Sequence, residues 1–566
     1  MSTDSPTRPP EASQPTVNVA AYLREMARVH PFKRAVVCPC GTDRQGRVAY
    51  THLTFHQLDV ESDRLARGLE EAGVGRGIRT ILMVRPSLDF FALVFALFKA
   101  GAVPVVVDPG MGVRRMLACL KESRAQALIG IPAAHVLRIL VPAYFRGVNV
   151  AITVGKRWFW GGLSLGQLRG QPGQTYRMAN TRADETAAIL FTTGSTGPAK
   201  GVIYTHGVFD AQVRNIRSQF GIRPGEIDLP TFPLFALFDP ALGMTAVIPN
   251  MDPTQPARVN PQNIIQAVLD HGVTNMFASP ALLNRVGRFG KRREIKLPTL
   301  KRVISAGAPA TPANLEQFCA MLSDDALIHT GYGATEAMPV SSFGSDEILS
   351  ETRRLSERGY GMCVGRPIAG VDVRVIRISD GPIALWTDGL QVAEGEIGEI
   401  VVRGDQVTRG YFERPRDDRL SKIFDGDTVW HRMGDLGWMD KKGRIWFCGR
   451  KSHRVITEEG TLFTIPCEAI FNNHPRVFRS ALVGIGPRGR QTPVVCVERE
   501  PKSGRGGQKT LEAELLALAR ACPITEAIRT VLFHRAFPVD IRHNSKIFRE
   551  QLAIWAAKRL HSGGSE

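Results

Sequence analysis

The chain lacks any apolar run long enough to cross a bilayer. Its most apolar stretch, residues 90–98, falls well short of the roughly 20 residues that a spanning helix needs, and Lys99 follows it directly. The stretch is predicted to be a buried helix, and no integral membrane protein is expected. Paired cysteines are lacking too. The nine cysteines are odd in number and scattered. Cys38 and Cys40 form the one close pair, with no second pair and no nearby His to complete a zinc set. Reduced thiols in a cytoplasmic protein are the expectation. Acidic residues are outnumbered, 54 Asp+Glu against 72 Lys+Arg, for a formal net charge of +18. The basic residues are spread out, without a Lys/Arg run interleaved with aromatics, so no nucleic-acid partner is expected. Anionic substrates, acidic proteins or a membrane surface suit such a charge equally. Residues 1–16 are rich in Ser, Thr and Pro and have no apolar core, which predicts a disordered tail and no signal peptide.

The 566 residues that are present exceed what one core organises, so two or more domains are expected. Helix patterns over 19–30, 58–72 and 90–100 alternate with strand patterns over 34–38, 79–84 and 103–107. The alternation returns with helices over 208–220 and 264–271 and strands over 246–248 and 275–278. This spacing predicts βαβ units on parallel sheets, an α/β fold. A Gly-punctuated, β-rich region follows, and residues 451–566 read as a smaller α+β domain.

One segment organises the rest: Phe191-Thr192-Thr193-Gly194-Ser195-Thr196-Gly197-Pro198-Ala199-Lys200-Gly201. A buried-strand pattern over 187–191 leads into it and a short strand pattern over 202–204 leaves it. The glycines let backbone N–H groups turn towards an anion. Thr192, Thr193, Ser195 and Thr196 add hydroxyl donors, and Lys200 adds a positive charge. That is chemistry for holding a polyphosphate. It is not a Walker A loop, because Ala199 and Gly201 stand where that loop needs Gly and Ser/Thr.

The segment closely resembles the phosphate-binding signature of the adenylate-forming superfamily, which includes acyl-CoA synthetases, amino-acid adenylation domains and luciferases. The resemblance implies ATP and Mg²⁺. It implies a large AMP-binding domain over residues 17–450, of parallel-type sheets with helices plus a β-rich part, and a small mobile C-terminal domain over 451–566. Gly194 and Gly197 belong to the phosphate loop. Gly307 and Ala308, in Val303-Ile304-Ser305-Ala306-Gly307-Ala308-Pro309, match the segment where the superfamily places adenine. Gly331-Tyr332-Gly333-Ala334-Thr335-Glu336 matches its Tyr-Gly-x-Thr-Glu element: Tyr332 flanks adenine, Thr335 meets the α-phosphate and Glu336 holds Mg²⁺. A Glu after a Gly-rich turn also suits a helix first turn. Asp435, in His431-Arg432-Met433-Gly434-Asp435, matches the residue that accepts both ribose hydroxyls, with Met433 where relatives usually have Thr. Arg450, at the end of a hairpin pattern over 443–450, matches the Arg that contacts ribose or phosphate. His453 stands where the family often has its hinge Asp. Near the end, Pro538-Val539-Asp540-Ile541-Arg542-His543-Asn544-Ser545-Lys546 resembles the final Pro-x-Thr-x-x-Gly-Lys motif with two extra residues and Ser545 for Gly. Lys546 is then the counterpart of the Lys that bridges carboxylate and α-phosphate.

Residues 232–242, 249–253, 447–451 and 537–544 resemble one subfamily further, the β-lactone synthetases of bacterial long-chain olefin biosynthesis, often labelled fatty-acid CoA ligases. That resemblance implies ATP-dependent activation of a 2-alkyl-3-hydroxy fatty acid and closure to a β-lactone without CoA. It also implies possible partners: a condensing enzyme, a reductase and a decarboxylating hydrolase. Ala236 and Asp239 fall in the segment that lines the acyl site. Asp239 reads either as a base for the substrate hydroxyl or as a helix N-cap before Pro240. The alternatives are a fatty acyl-CoA or acyl-AMP ligase and, through Phe238-Asp239, an amino-acid adenylation enzyme.

Overall fold

The structure, a computed structural model, describes residues 16–170, 175–192, 199–500, 507–539 and 547–562. The apolar stretch forms the helix Leu88–Lys99, buried at every residue from Phe90 to Lys99. Ser87 caps it by accepting from the Phe90 N–H. Lys99 is wholly inaccessible, and its ammonium lies 2.5 Å from Asp59 and 2.6 Å from Asp63. A buried charge needs such partners.

The alternating strands and helices build two large sheets. The seven-stranded sheet has the order Leu163–Ser164, Val150–Thr153, Ala127–Gly130, Arg79–Met83, Val103–Val107, Thr186–Thr192, Lys200–Thr205. All neighbours in it are parallel except the last pair. In the nine-stranded sheet, Arg34–Thr42, Thr245–Val247, Ile227–Pro230, Asn275–Ala278, Arg302–Ser305 and Leu327–Ala334 are neighbours and run parallel. Antiparallel strands close both ends, Val48–Thr54 at one, Ala337–Gly344 and Arg366–Pro367 at the other. Parallel strands need coverage on both faces, which the helices between them supply.

The structure extends or corrects these expectations in three places. The strand at 34–38 runs on to Thr42 and makes a hairpin with Val48–Thr54, its outer residues exposed. The strands flanking residues 193–198 pair antiparallel, with Thr192 opposite Lys200. The Gly-rich turn at 331–336 is largely strand, as set out below. The β-rich region is an antiparallel six-stranded sheet that includes Gly398–Arg403, Thr428–Met439 and Ile445–Arg450. The smaller C-terminal domain has a three-stranded sheet, Val477–Ile485, Thr492–Arg499 and Thr530–Phe533, with helices Thr464–Asn472, Gln508–Arg520 and Arg549–Ser562. Among the described residues no helix is long and apolar enough to cross a membrane.

Candidate active site

Thr335 and Glu336 form the turn between the paired strands Leu327–Ala334 and Ala337–Gly344. Glu336 is therefore not a helix first-turn residue; the turn projects it from the end of the large sheet. Neighbours hold it in place. The Tyr411 hydroxyl donates to Glu336 Oε1 at 2.6 Å, and the Thr408 N–H donates to the Glu336 carbonyl at 2.9 Å. The Tyr204 hydroxyl donates to the Thr335 carbonyl at 2.5 Å. Burial, then the nearby Glu336 charge, push the Tyr411 phenol up, so it stays a donor. Lys422 is buried and donates to the Thr408 carbonyl. Burial lowers its ammonium to about 8, against the pull of Glu336 and Asp418.

Asp435 lies inside the strand Thr428–Met439, directly after Gly434 at φ 66°. It stands opposite Arg450 on the neighbouring strand. The Tyr332 hydroxyl donates to Asp435 Oδ2 at 2.8 Å, and Arg450 Nη1 lies 2.9 Å from Oδ1. Asp435 is only 3% exposed. Burial raises its carboxyl pKa, while Arg450 and the Tyr332 hydrogen bond work against that rise. Arg450 also donates to the Met433 carbonyl at 3.3 Å, a contact that does not depend on the side chain at 433.

These groups share one cavity of about 1590 Å³, which Lys200, Gly307, Ala308, Tyr332, Thr335, Glu336, Asp435, Arg450 and Asp239 all line. Gly307 follows the strand Arg302–Ser305 in the left-handed region, φ 90°, where a side chain would be strained. Lys200 Nζ lies 2.7 Å from Asp417 and 4.9 Å from the centre of the Tyr411 ring. Thr193, Gly194, Ser195, Thr196, Gly197 and Lys546 lie outside the described residues, and of Thr192 the structure gives the backbone position only.

The rest of the cavity is apolar. Phe90, Val94 and Phe98 of the buried helix line it, with Phe209, Val213 and Phe220 of the helix His206–Phe220. Phe235 stacks on Phe277 with ring centres 4.0 Å apart. Ala236 does not line this space. In the tight turn Phe235–Leu237 its neighbours face the cavity and Ala236 faces the core, wholly buried. The capping reading of Asp239 is also corrected. Leu237 precedes the helix Phe238–Leu242, and no side chain caps it. Asp239 is buried, and its carboxyl interacts with that of Asp228, a lining residue on the strand Ile227–Pro230. Two carboxyls can share a hydrogen bond only if one is protonated. Burial and the neighbouring carboxyl push Asp239 well above the ordinary carboxylate range. Asp228, Tyr411 and Lys422 carry no local motif and were not singled out from sequence.

At the expected hinge, His453 Nε2 lies 3.4 Å from Glu550 on the last helix, and Lys451 pairs with the buried Glu399 at 2.8 Å.

The polar end of the cavity fits a nucleotide. It offers a buried carboxylate, a guanidinium, a phenol and a small-residue turn, and Glu336 is a carboxylate of the kind that could hold Mg²⁺ alongside phosphate oxygens. The profile of the family described as AMP-binding enzyme matches residues 23–412. The chain belongs to that family. As an AMP-binding enzyme it is 47% identical over 549 residues to an olefin beta-lactone synthetase of Xanthomonas campestris, covering 96% of this chain and 98% of that one. It is 47% identical over 552 residues to an olefin beta-lactone synthetase of Stenotrophomonas maltophilia, with the same coverage. The long-chain-fatty-acid–CoA ligase FadD13 of Mycobacterium tuberculosis is 26% identical over 83% of this chain and 86% of its own. Among solved structures, the amide bond synthetase McbA from Marinactinospora thermotolerans matches with a TM-score of 0.77 at 22% identity, covering 95% of this chain and 99% of that one. Bacillus subtilis o-succinylbenzoate coenzyme A synthetase matches with a TM-score of 0.72 at 20% identity, covering 95% and 98%. These two likenesses show the fold.

Proposed function

We propose that this AMP-binding enzyme activates a long-chain 2-alkyl-3-hydroxy fatty acid with ATP and closes the acyl-adenylate to a β-lactone, releasing AMP and pyrophosphate. The observation that carries this reading is the 47% identity over nearly the whole chain to two olefin beta-lactone synthetases. The cavity is consistent with it, polar at the Glu336 and Asp435 end and apolar between the helices Leu88–Lys99 and His206–Phe220.

In this reading the adenine lies against Gly307, Ala308 and Tyr332. Asp435 and Arg450 hold the ribose. The 192–197 loop and Lys200 take the phosphates, Lys200 exchanging its contact with Asp417. Glu336 holds Mg²⁺, which supplies positive charge to the phosphate oxygens. Thr335 contacts the α-phosphate, and Lys546 sits between that phosphate and the attacking carboxylate. The carboxylate oxygen then bonds to the α-phosphorus and pyrophosphate leaves. Next the substrate's own hydroxyl oxygen attacks the acyl carbon, AMP leaves and the hydroxyl proton passes to the protein. An intramolecular attack benefits from proximity, which offsets part of the four-ring strain. The reading places the protein in the cytoplasm beside a condensing enzyme, a reductase and a decarboxylating hydrolase. It gives residues 451–566 as a mobile domain that carries Lys546 to the 17–450 domain.

The deciding experiment is product analysis with ATP, Mg²⁺ and a long-chain 2-alkyl-3-hydroxy acid, with and without CoA. Lactone formed in equal yield in both arms is the expected result. A thioester as the main product by mass spectrometry moves the protein to the fatty acyl-CoA ligases.

Asp435→Ala tests the ribose assignment. Removing a charged acceptor of hydrogen bonds is expected to weaken ATP binding by about 1.5–3 kcal/mol. Unchanged affinity by calorimetry rules the assignment out.

A further inference from the structure

Residues 123–183 contain no Asp or Glu, where the chain's average of 54 in 566 would place about six, and they contain eight Lys and Arg. In the fold this stretch supplies three consecutive strands at one edge of the seven-stranded sheet: Ala127–Gly130, Val150–Thr153 and Leu163–Ser164. The loop joining the last two carries Lys156-Arg157-Trp158-Phe159-Trp160, a short exception to the even spread of basic residues.

Trp160 anchors that loop. Its ring stacks on His135, centres 5.5 Å apart and planes within 9°. Its indole N–H donates to Thr153 Oγ1 at 3.0 Å, and its carbonyl accepts from Arg138 at 3.0 Å. The anchor holds the two preceding rings in solvent, Trp158 55% exposed and Phe159 81% exposed. Ile139, one turn beyond His135 on the helix Pro132–Leu140, and Leu140 are exposed as well. Among the described residues Lys156 and Arg157 form no ion pair; Arg157 donates to the Gly162 carbonyl and the Gln167 side chain, both neutral.

Single exposed apolar residues are ordinary on a surface. Adjacent Trp and Phe beside unpaired cations, in a stretch with no acid, are a different pattern. Tryptophan rings favour the headgroup layer, and amphipathic surfaces that lie on membranes combine such rings with Lys and Arg. We propose that this sheet edge docks the enzyme on an anionic lipid bilayer, with Trp158 and Phe159 among the headgroups and Lys156 and Arg157 at the lipid phosphates. The surface stands apart from the nucleotide site, and the proposal does not depend on which acid the enzyme activates.

The test is flotation of the full chain with vesicles of phosphatidylglycerol and phosphatidylethanolamine, set against vesicles of phosphatidylcholine alone. Binding to the anionic vesicles, falling as salt rises, is the expected result. Replacing Trp158→Ser and Phe159→Ser together is expected to lower the partition by about tenfold or more. Replacing Lys156→Gln and Arg157→Gln together is expected to lower it roughly fivefold for each charge on anionic vesicles, and not on neutral ones. Adenylation of a detergent-dispersed acid should be unchanged in both variants, because neither touches the cavity. No vesicle binding by the parent, or equal binding by parent and both variants, overturns the proposal. A changed oligomeric state in the Trp158/Phe159 variant with vesicle binding retained overturns it too, and assigns the surface to protein contact.

Discussion

Lys546→Ala is expected to reduce pyrophosphate release by about 10²–10³-fold, the range seen when one preorganised donor to a developing charge is removed, while ATP still binds. The reason is electrostatic. Adenylation brings a carboxylate against a phosphate, two anions whose repulsion must be offset at the moment the new bond forms. Three cations at the polar end have partners already: Arg450 is held by Asp435, Lys200 by Asp417, and Lys422 is buried against the Thr408 carbonyl. In the proposed reading, Lys546 adds a further cation to these paired ones. Because the proposed ATP contacts other than Lys546 all lie within residues 17–450, nucleotide affinity should stay close to that of the parent. Pyrophosphate release in single-turnover experiments, with ATP binding measured separately, checks both halves. Near-normal release would show that another group does this work.

Legibility differed between kinds of feature, for physical reasons. The strands Val103–Val107 and Asn275–Ala278 match the expected bounds, because short apolar runs bounded by Gly, Pro or a helix pattern leave little choice. The helix Leu88–Lys99 was evident from its apolarity, but its ion pairs to Asp59 and Asp63 were not, since they join residues 40 and 36 positions apart. Gly307, Tyr332, Glu336, Asp435 and Arg450, which line one cavity, were legible as candidates because each sits in a contiguous Gly-marked segment. Their supports were not. Tyr411 meets Glu336 from 75 positions away, and only the fold puts them together. The turn at Thr335 and Glu336 was open to a helical reading because Gly-rich sequence does not reveal that two long strands flank it. Asp228 looks like any Asp in a short strand until Asp239 is placed beside it. Direction was the hardest matter for single side chains: Ala236 and Asp239 lie three positions apart in one segment, yet one faces the core and the other the cavity.

Asp239→Asn is expected to slow lactone formation by about 10²-fold or more, the contribution of a positioned proton acceptor, and to leave the first release of pyrophosphate intact, so that acyl-AMP accumulates. Lactone closure needs a base. As the hydroxyl oxygen adds to the acyl carbon, its proton must leave, and AMP departs when the tetrahedral intermediate collapses. Asp239 lines the cavity in the segment Phe235–Leu242, between apolar walls and the polar end. The Asp239 and Asp228 carboxyls interact inside the cavity and both are raised, so with one proton held by the pair its ionised member can accept another. Burial raises both, which brings the acceptor closer to neutral pH and makes it a stronger base than an exposed carboxylate. Capping does not compete as an explanation, because the side chain caps no helix. The partner gives a second, independent readout. Asp228 adds to the rise of Asp239, through its charge and through its hydrogen bond. Asp228→Asn removes the charge, so the Asp239 carboxyl should lose its proton at lower pH. The rising limb of the lactone rate against pH is then expected to move down, while the adenylation limb stays in place. A purely structural pair would lower both steps together and shift neither limb. Equal lactone rates in Asp239→Asn and the parent, with acyl-AMP absent from both, would retire Asp239 as the acceptor and leave the proton to bulk water or to the departing phosphate.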